Sequence, residues 1–198
     1  LPEPQRSMYL YGNWDIFAGQ AFQEWDSNIH TCDPFQIPKN WKLYIGVDFG
    51  YVAPFCALLF AINPEGRVYV IDELYESGWT TERQAVEIKR RWWGWRDHPN
   101  EKAELLSAPV HMVVDPSMFA KHGDTGKSRV EQYMESGIGA KLCLIIPGSN
   151  DRIAGKQQLH RFLAKAPDGK PWIQFFRGKC PNAIRTIPYL ILDTSRHE

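Results

Sequence analysis

The chain has 198 residues, of which 23 are Lys or Arg and 23 are Asp or Glu, so its formal net charge is zero with histidine neutral. This balance excludes a basic tail that binds nucleic acid unspecifically and an acidic disordered tail. With 43% hydrophobic and 23% charged residues, the composition is that of a globular protein whose length suits one domain with a well-filled core.

The cysteines, at positions 32, 56, 143 and 180, form no Cys-x-x-Cys or Cys/His pair at metal-ligand spacing, which argues against a zinc site or a disulfide framework. The sequence also lacks a run of about 18 apolar residues and a signal-peptide pattern. We therefore expect a soluble intracellular protein with no membrane contact. The chain starts at Leu1 and stops at Glu198 without a recognisable end signal, which suggests a piece of a longer protein.

Residues 1–41 are rich in Pro, Gly and aromatic side chains and show no sustained period, so we expect an extended aromatic arm or linker there. Three apolar segments follow, at 43–50, 54–62 and 68–74, with a turn at 63–66 before the third. They predict three consecutive antiparallel strands.

Apolar residues at helical spacing predict helices at 81–93, 128–136 and 151–164. Two short apolar segments, HMVVD at 111–115 and LCLIIP at 142–147, predict a fourth and a fifth strand. The order βββαβαβα is typical of an α/β fold whose mixed five-stranded sheet joins an antiparallel meander to two parallel strands, with helices on its faces.

Asp48 lies at the end of an apolar strand in the segment Gly46–Gly50, and Asp115 ends the fourth predicted strand in the same way, just before Pro116. An ionised carboxylate in such a setting is costly unless a cation pairs with it, although either Asp could also simply cap a turn. If the first and fourth strands are neighbours, the two carboxylates face each other at the carboxyl edge of the sheet, where ligands of α/β proteins bind.

Hard oxygen ligands suit Mg²⁺ or Mn²⁺, and a pair of such ions about 3.5–4 Å apart is the arrangement used in phosphodiester hydrolysis. Two carboxylates are usually too few for this chemistry. Glu73 is a weak candidate for a third ligand, the alternative being an edge-strand Glu paired with a Lys or Arg. Asp193 more simply caps a turn.

Several segments in order resemble the nuclease domain of a tailed-phage large terminase subunit, the motor that packages viral DNA. They are GNW with GQAFQEW near the amino end, then GVDFGYVAPFCALL, GRVYVIDELY, VVDPS, IPGSNDRIAGKQQLHRFL and IQFFRGKCPNAIRTIPYLILD. The resemblance covers nearly the whole chain.

The resemblance implies an RNase H-like fold at residues 42–198, preceded by a linker from an upstream ATPase domain. It implies metal-dependent cleavage of concatemeric double-stranded viral DNA, two Mg²⁺ or Mn²⁺ ions, and Asp48 and Asp115 as catalytic metal ligands. The third acid of the family would lie beyond Glu198, so the domain would be cut before its last helix. The implied partners are DNA, the ATPase domain, the portal and the small terminase subunit, in the cytoplasm of the host.

Residues 151–198 contain nine Lys or Arg against four Asp or Glu, a surplus of five positive charges that residues 1–150 balance. Such cations contact phosphates without reading sequence, but a solvated helix face is an equally good explanation for any one of them. Candidate DNA-binding residues are Lys121, Lys127, Arg129, Lys156, Arg161 and Arg177.

The loop 121–128 resembles a phosphate-binding loop, but position 121 is Lys where the Walker A spacing needs Gly, so we expect no ATP hydrolysis. His111, His160 and His197 have no partner at ligand spacing. The alternative functions are another RNase H-superfamily nuclease or resolvase and a catalytically silent interaction module of a packaging motor. An actin-like ATPase, which also ends a strand on Asp-x-Gly, would need a duplicated lobe for which this chain has no room.

Overall fold

A computed structural model describes residues 19–92, 110–123, 126–139 and 143–191. Within them the strands are β1 (Thr31–Cys32), β2 (Lys42–Asp48), β3 (Phe55–Ile62), β4 (Val68–Glu76), β5 (Val110–Val114), β6 (Cys143–Pro147) and β7 (Ile173–Phe176). The helices are α1 (Ser27–His30), α2 (Thr81–Trp92), α3 (Arg129–Glu135), α4 (Arg152–Leu163) and α5 (Pro181–Thr186), with 3-10 turns at Pro116–Phe119 and Ile187–Tyr189.

The described strands form one sheet in the order β1-β7-β4-β3-β2-β5-β6. As predicted, β2, β3 and β4 are an antiparallel meander, and β5 and β6 extend the sheet from β2 in parallel. The predicted count of five strands is wrong, because β1 and β7 add two parallel strands beside β4, giving seven in the described residues. β1 has two residues and β7 four, too few for an alternating pattern to be recognised in the sequence.

The two faces of the sheet carry separate apolar clusters. Side chains alternate along β2, so that Ile45 and Val47 are buried under α2 and α3 together with Ile88 and Tyr133. On the other side of the sheet, the end of α4 packs over β4 and β7 in a second cluster. The fold therefore has helices on both faces of a mixed sheet, in agreement with the predicted class.

The three predicted helices are confirmed, each within one residue at either end. Ser128 precedes α3 and forms a capping box with Glu131, and Asp151 precedes α4 and accepts a hydrogen bond of 2.8 Å from the Ala154 N–H. The two residues that the periodicity assigned to helix starts are thus the caps.

A buried glutamine ties α2 to the end of β2 and to α3. The Gln84 side chain is fully buried and donates from Nε2 to the Gly50 carbonyl at 2.8 Å, while its Oε1 accepts from the Tyr133 hydroxyl at 3.1 Å. Both polar ends of the amide are satisfied, so this contact fixes the chain just after β2 against two helices.

Residues 19–41 contribute to the same sheet and core as the strands that follow them. Trp25 is 1% exposed, stacks on His30 and meets Phe175 edge-on, and β1 pairs with β7. The proposed domain boundary at residue 41 stays a prediction. The first part of the arm, residues 1–18, and Asp193 and His197 lie outside the described residues.

No helix in the described part of the chain has the length and apolar character needed to cross a membrane.

We expect Trp25→Ala to lower the free energy of unfolding by about 3–5 kcal/mol, the usual cost of deleting a buried Trp side chain. Urea unfolding followed by circular dichroism measures the loss, and Gln23→Ala, an exposed neighbour, is the control. An unchanged stability would mean that residues 19–41 are a dispensable arm.

Candidate metal centre and its surroundings

The pairing of β2 with β5 places two carboxylates next to each other. The strands are parallel, with Val47 opposite Val114, and Asp48 and Asp115 are the next residues on each. Neighbouring strands lie about 4.8 Å apart, so the two side chains emerge together at the carboxyl edge of the sheet. The expected adjacency of the first and fourth predicted strands is therefore confirmed.

Asp115 is held in position by the turn that it starts. Its Oδ1 accepts a hydrogen bond of 2.7 Å from the Ser117 N–H, and Pro116 begins the 3-10 turn directly after it. Hydrogen bonds from the Ser117 hydroxyl and N–H lower the pKa of Asp115 below its usual value. Asp115 is therefore a fixed carboxylate that is ionised at neutral pH.

The pKa of Asp48 is shifted in the opposite direction from that of Asp115. Partial burial, together with the negative charge of Asp115, raises the pKa of Asp48 above its ordinary value. No hydrogen bond to the Asp48 carboxylate is found within the described residues. The negative charge of Asp48 is therefore not compensated, and a divalent cation bound at the two carboxylates would stabilise the pair.

The cleft around the pair is completed by the segment that joins β6 to α4. Its lining includes Ser149, Asn150 and Arg152 besides the two carboxylates. Gly148 anchors this segment, because its N–H donates to the Val114 carbonyl at 2.8 Å. Arg152 is one of the nine basic residues of 151–198, but the sequence did not single it out as a candidate DNA-binding residue. Its position could have been predicted, because Arg152 follows a loop between a parallel strand and a helix, and such loops lie at the carboxyl edge of the sheet.

The donor set fits one hard cation better than two. Two carboxylates and the side-chain oxygens of Ser149 and Asn150 are ligands that Mg²⁺ and Mn²⁺ accept. The described ranges contain no group of three or more His, Cys, Asp or Glu that could hold a metal. A second ion would need a ligand from outside these residues, as the expected third acid beyond Glu198 would be.

The carboxylate of Glu73 is engaged in hydrogen bonds and is not free to join the pair Asp48 and Asp115. It is 6% exposed, and its carboxylate accepts hydrogen bonds from the Asn182 N–H, the Asn182 side chain and the Ala183 N–H at 2.6–2.9 Å. Glu73 thus caps the start of α5. The expectation of a Lys or Arg partner is wrong, since the partners of Glu73 are N–H groups at a helix start. β4 is also not an edge strand, because β7 pairs with its first three residues, Val68–Val70.

Two of the predicted DNA-binding cations already have carboxylate partners. Lys127 pairs with Glu135 at 2.7 Å, and Arg177 pairs with Asp33 at 2.7 Å and also reaches the Thr31 hydroxyl. Arg177 connects the ends of β1 and β7, three strands away from β2. These contacts give Arg177 a structural role, which is to join the two strand ends.

The other predicted cations have different settings. Lys121, Lys156 and Arg161 are exposed. The Arg129 guanidinium carbon lies 3.8 Å from the centre of the Phe49 ring, at the start of α3. Of the six predicted cations, Arg129 is thus the one held against the segment that directly follows Asp48.

The four cysteines, His111 and His160 serve structural roles. All four cysteines are free, and burial raises the pKa of Cys56, the one nearest Asp48 in the sheet, to about 11. His160 pairs with Glu24 at 2.8 Å, and His111 packs against Tyr44. These side chains serve packing and local pairing.

A mixed sheet of this order, with helices on both faces and a carboxylate pair at its carboxyl edge, defines an RNase H-like fold. Solved structures of large terminases share this fold. The nuclease domain of the P22 large terminase matches 81% of this chain and 73% of its own length, at 20% identity and a TM-score of 0.55. The large terminase of a thermophilic bacteriophage, in complex with ADP, matches 98% of this chain at 17% identity and a TM-score of 0.65.

This chain spans 42% of that second structure's length. No family model matches the sequence, and no curated protein matches it either. At these identities the comparisons establish the shared fold.

We expect Asp48→Asn to raise the thermal unfolding midpoint of the metal-free protein at neutral pH. Because the folded-state pKa of Asp48 is raised, its ionised form costs stability above that pKa, and the cost is absent below its ordinary value of 3.8. The gain should shrink as the pH falls through the raised pKa. Calorimetry in EDTA across that range measures it.

Asp168→Asn is a control of opposite sign, because hydrogen bonds from the Lys170 N–H and the Arg67 side chain lower the pKa of Asp168. That substitution should lower the midpoint at neutral pH. A lower midpoint for Asp48→Asn as well would contradict the cost that burial and the neighbouring Asp115 place on the ionised form of Asp48.

Proposed function

We propose that the chain is the metal-dependent endonuclease domain of a phage large terminase subunit, which cuts concatemeric double-stranded viral DNA during packaging. The observation that carries the proposal is the pair Asp48 and Asp115 at the ends of adjacent parallel strands, in the fold that the P22 nuclease domain also has. Fold alone does not fix activity, so the site carries the argument.

The residues around the cleft suit the hydrolysis of a phosphodiester. When bound, Mg²⁺ or Mn²⁺ supplies Lewis-acid activation of water and neutralises charge on the phosphate. Asp115 keeps one carboxylate fixed and ionised, and Asp48 completes the pair that would hold the ion. Arg152, at the first turn of α4, attracts a phosphate oxygen, and the amide of Asn150 can donate a hydrogen bond to it.

The same proposal assigns the remaining partners. Two ions would act together, with the second held partly by a carboxylate from beyond Glu198. Residues 42–198 would be the nuclease domain and residues 1–41 the connection to an upstream ATPase domain, on a packaging motor that also contacts the portal and the small terminase subunit. The motor would work in the cytoplasm of the infected host.

We expect Asp48→Asn and Asp115→Asn each to reduce plasmid cleavage in Mn²⁺ by about 100-fold or more, because each removes a metal ligand worth several kcal/mol at the transition state. Gel analysis of supercoiled plasmid over time measures the loss, with circular dichroism as the check of folding.

Asp168→Asn is the matched control, since Asp168 is an exposed carboxylate near the turn before β7 and pairs with Arg67. Its cleavage rate should stay within a factor of about two of the wild-type rate. Cleavage that survives both Asp48→Asn and Asp115→Asn would refute the assigned centre, and a wild-type chain that neither cleaves nor binds DNA would favour a silent interaction module.

The domain should cut DNA of random sequence at many positions, because the cations near the cleft suit backbone phosphates rather than base edges. Sequencing the ends produced from a plasmid library measures the distribution. A single discrete cut site would contradict this expectation.

A further inference from the structure

A second pocket opens beside the carboxylate cleft, on the other side of the end of β2. Phe49, the residue after Asp48, packs against the cluster under α2 and α3, whereas the cleft is lined from the β6–α4 segment. Phe49 and Arg129 line this second pocket, with Tyr51, His122 and the start of α2 around them. The two openings are therefore neighbours along one strand end.

Arg129 is a cation fixed in advance of any ligand. Its guanidinium lies 3.8 Å from the centre of the Phe49 ring, and within the described ranges no carboxylate pairs with it. Arg67, Arg91 and Arg177, by contrast, each pair with an Asp at 2.7–2.8 Å. A stacked guanidinium keeps its planar N–H donors in one orientation, which favours the two-point binding of a phosphate.

A second polar group at the pocket also lacks a partner. The Nε2 atom of His122 is buried, and no hydrogen bond to it is found within the described residues. Because this nitrogen has almost no exposed surface, the His122 ring must turn before it can donate to a phosphate oxygen, so the phosphate contact is assigned to Arg129. Glu82 lines the pocket as well, but its side chain is exposed, so water screens its charge from an anion.

The rim of the pocket suits a polymer better than a small anion. Tyr51 and Val52 form the tip of the loop after β2 and are 53% and 90% exposed. The loop is held rigidly, because the Gly78 N–H donates to the Tyr51 carbonyl at 2.7 Å and Gln84 donates to Gly50. Exposed apolar side chains on a fixed loop can contact the sugars and groove of a duplex.

We propose that this pocket binds a backbone phosphate of DNA that flanks the phosphodiester held at Asp48 and Asp115. The proposal rests on the proposed function, because it assigns the flanking contact of the same substrate. Arg129 is then a positioning residue: by holding one phosphate it sets the register of the strand, and so which phosphodiester reaches the carboxylates.

The test measures binding rather than cleavage. In an Asp48→Asn background with EDTA, binding of a short labelled duplex is measured by fluorescence anisotropy over a range of salt concentrations. Arg129→Gln should weaken binding and lower the slope of log K against log salt by about 0.9, the value for one lost phosphate contact. Arg129→Lys keeps the charge but loses the planar stack, so it should restore the slope and only part of the affinity.

Phe49→Leu removes the ring while leaving Arg129 in place, and should weaken binding with the slope unchanged. Arg67→Gln is the matched control: Arg67 also lies over an aromatic ring, that of Trp172, but pairs with Asp168 at the far end of β4. It should leave binding unaltered. Thermal unfolding of each variant identifies any that fail to fold. If Arg129→Gln does not fold, the partial loss of affinity in Arg129→Lys still tests the role of Arg129.

Unchanged affinity and slope in Arg129→Gln would overturn the proposal. Inorganic phosphate that competes with the duplex at equal concentration, and loses this ability in Arg129→Gln, would also overturn it by indicating a site for free phosphate. The outcome is separate from that of the proposed function. A salt-dependent contact that is lost in Arg129→Gln supports the subsite whether or not the chain cleaves plasmid, and the Asp48→Asn and Asp115→Asn cleavage assays test the nuclease separately.

Discussion

Five consecutive residues of β2 pair in parallel with five of β5, from Leu43 opposite Val110 to Val47 opposite Val114. Because parallel strands end at the same edge, this register brings Asp48 and Asp115 together although they are far apart in the sequence. A slip by one residue would turn one of the two side chains to the opposite face of the sheet. The buried alternation of β2 resists such a slip, since Ile45 and Val47 would then leave the core.

The partial burial of Asp48 next to the negative charge of Asp115 determines the electrostatics of the cleft. Asp115 is fixed by the turn at Ser117, whereas Asp48 has no such donor among the described residues. The arrangement leaves one negative charge without compensation at an open cleft, which costs stability in the metal-free protein and favours a divalent cation. Arg152 is at the same cleft but has no described ion pair with either carboxylate, so it remains suited to an anionic substrate.

Much of the fold could be predicted from the sequence, because long elements carry a period. The meander, the two parallel strands, and the helices capped by Ser128 and Asp151 follow from apolar spacing and cap residues. Two carboxylates at strand ends were equally visible. The strands β1 and β7 were not, since short strands have no period and depend on pairing with distant partners. Glu73 shows the same limit: its three N–H donors belong to a helix start more than 100 residues away in sequence.

The sequence by itself thus determined the order of the elements, the class of the sheet and the two acidic strand ends, because these depend on neighbours within a few positions. Only the tertiary structure decided which charges are available to a ligand. Lys127 and Arg177 are paired, Arg129 is stacked on Phe49, and Arg152 lies at the metal cleft. The physical reason is that a cation's role depends on the carboxylates and rings within a few ångströms of it, and the fold brings these together from distant parts of the chain.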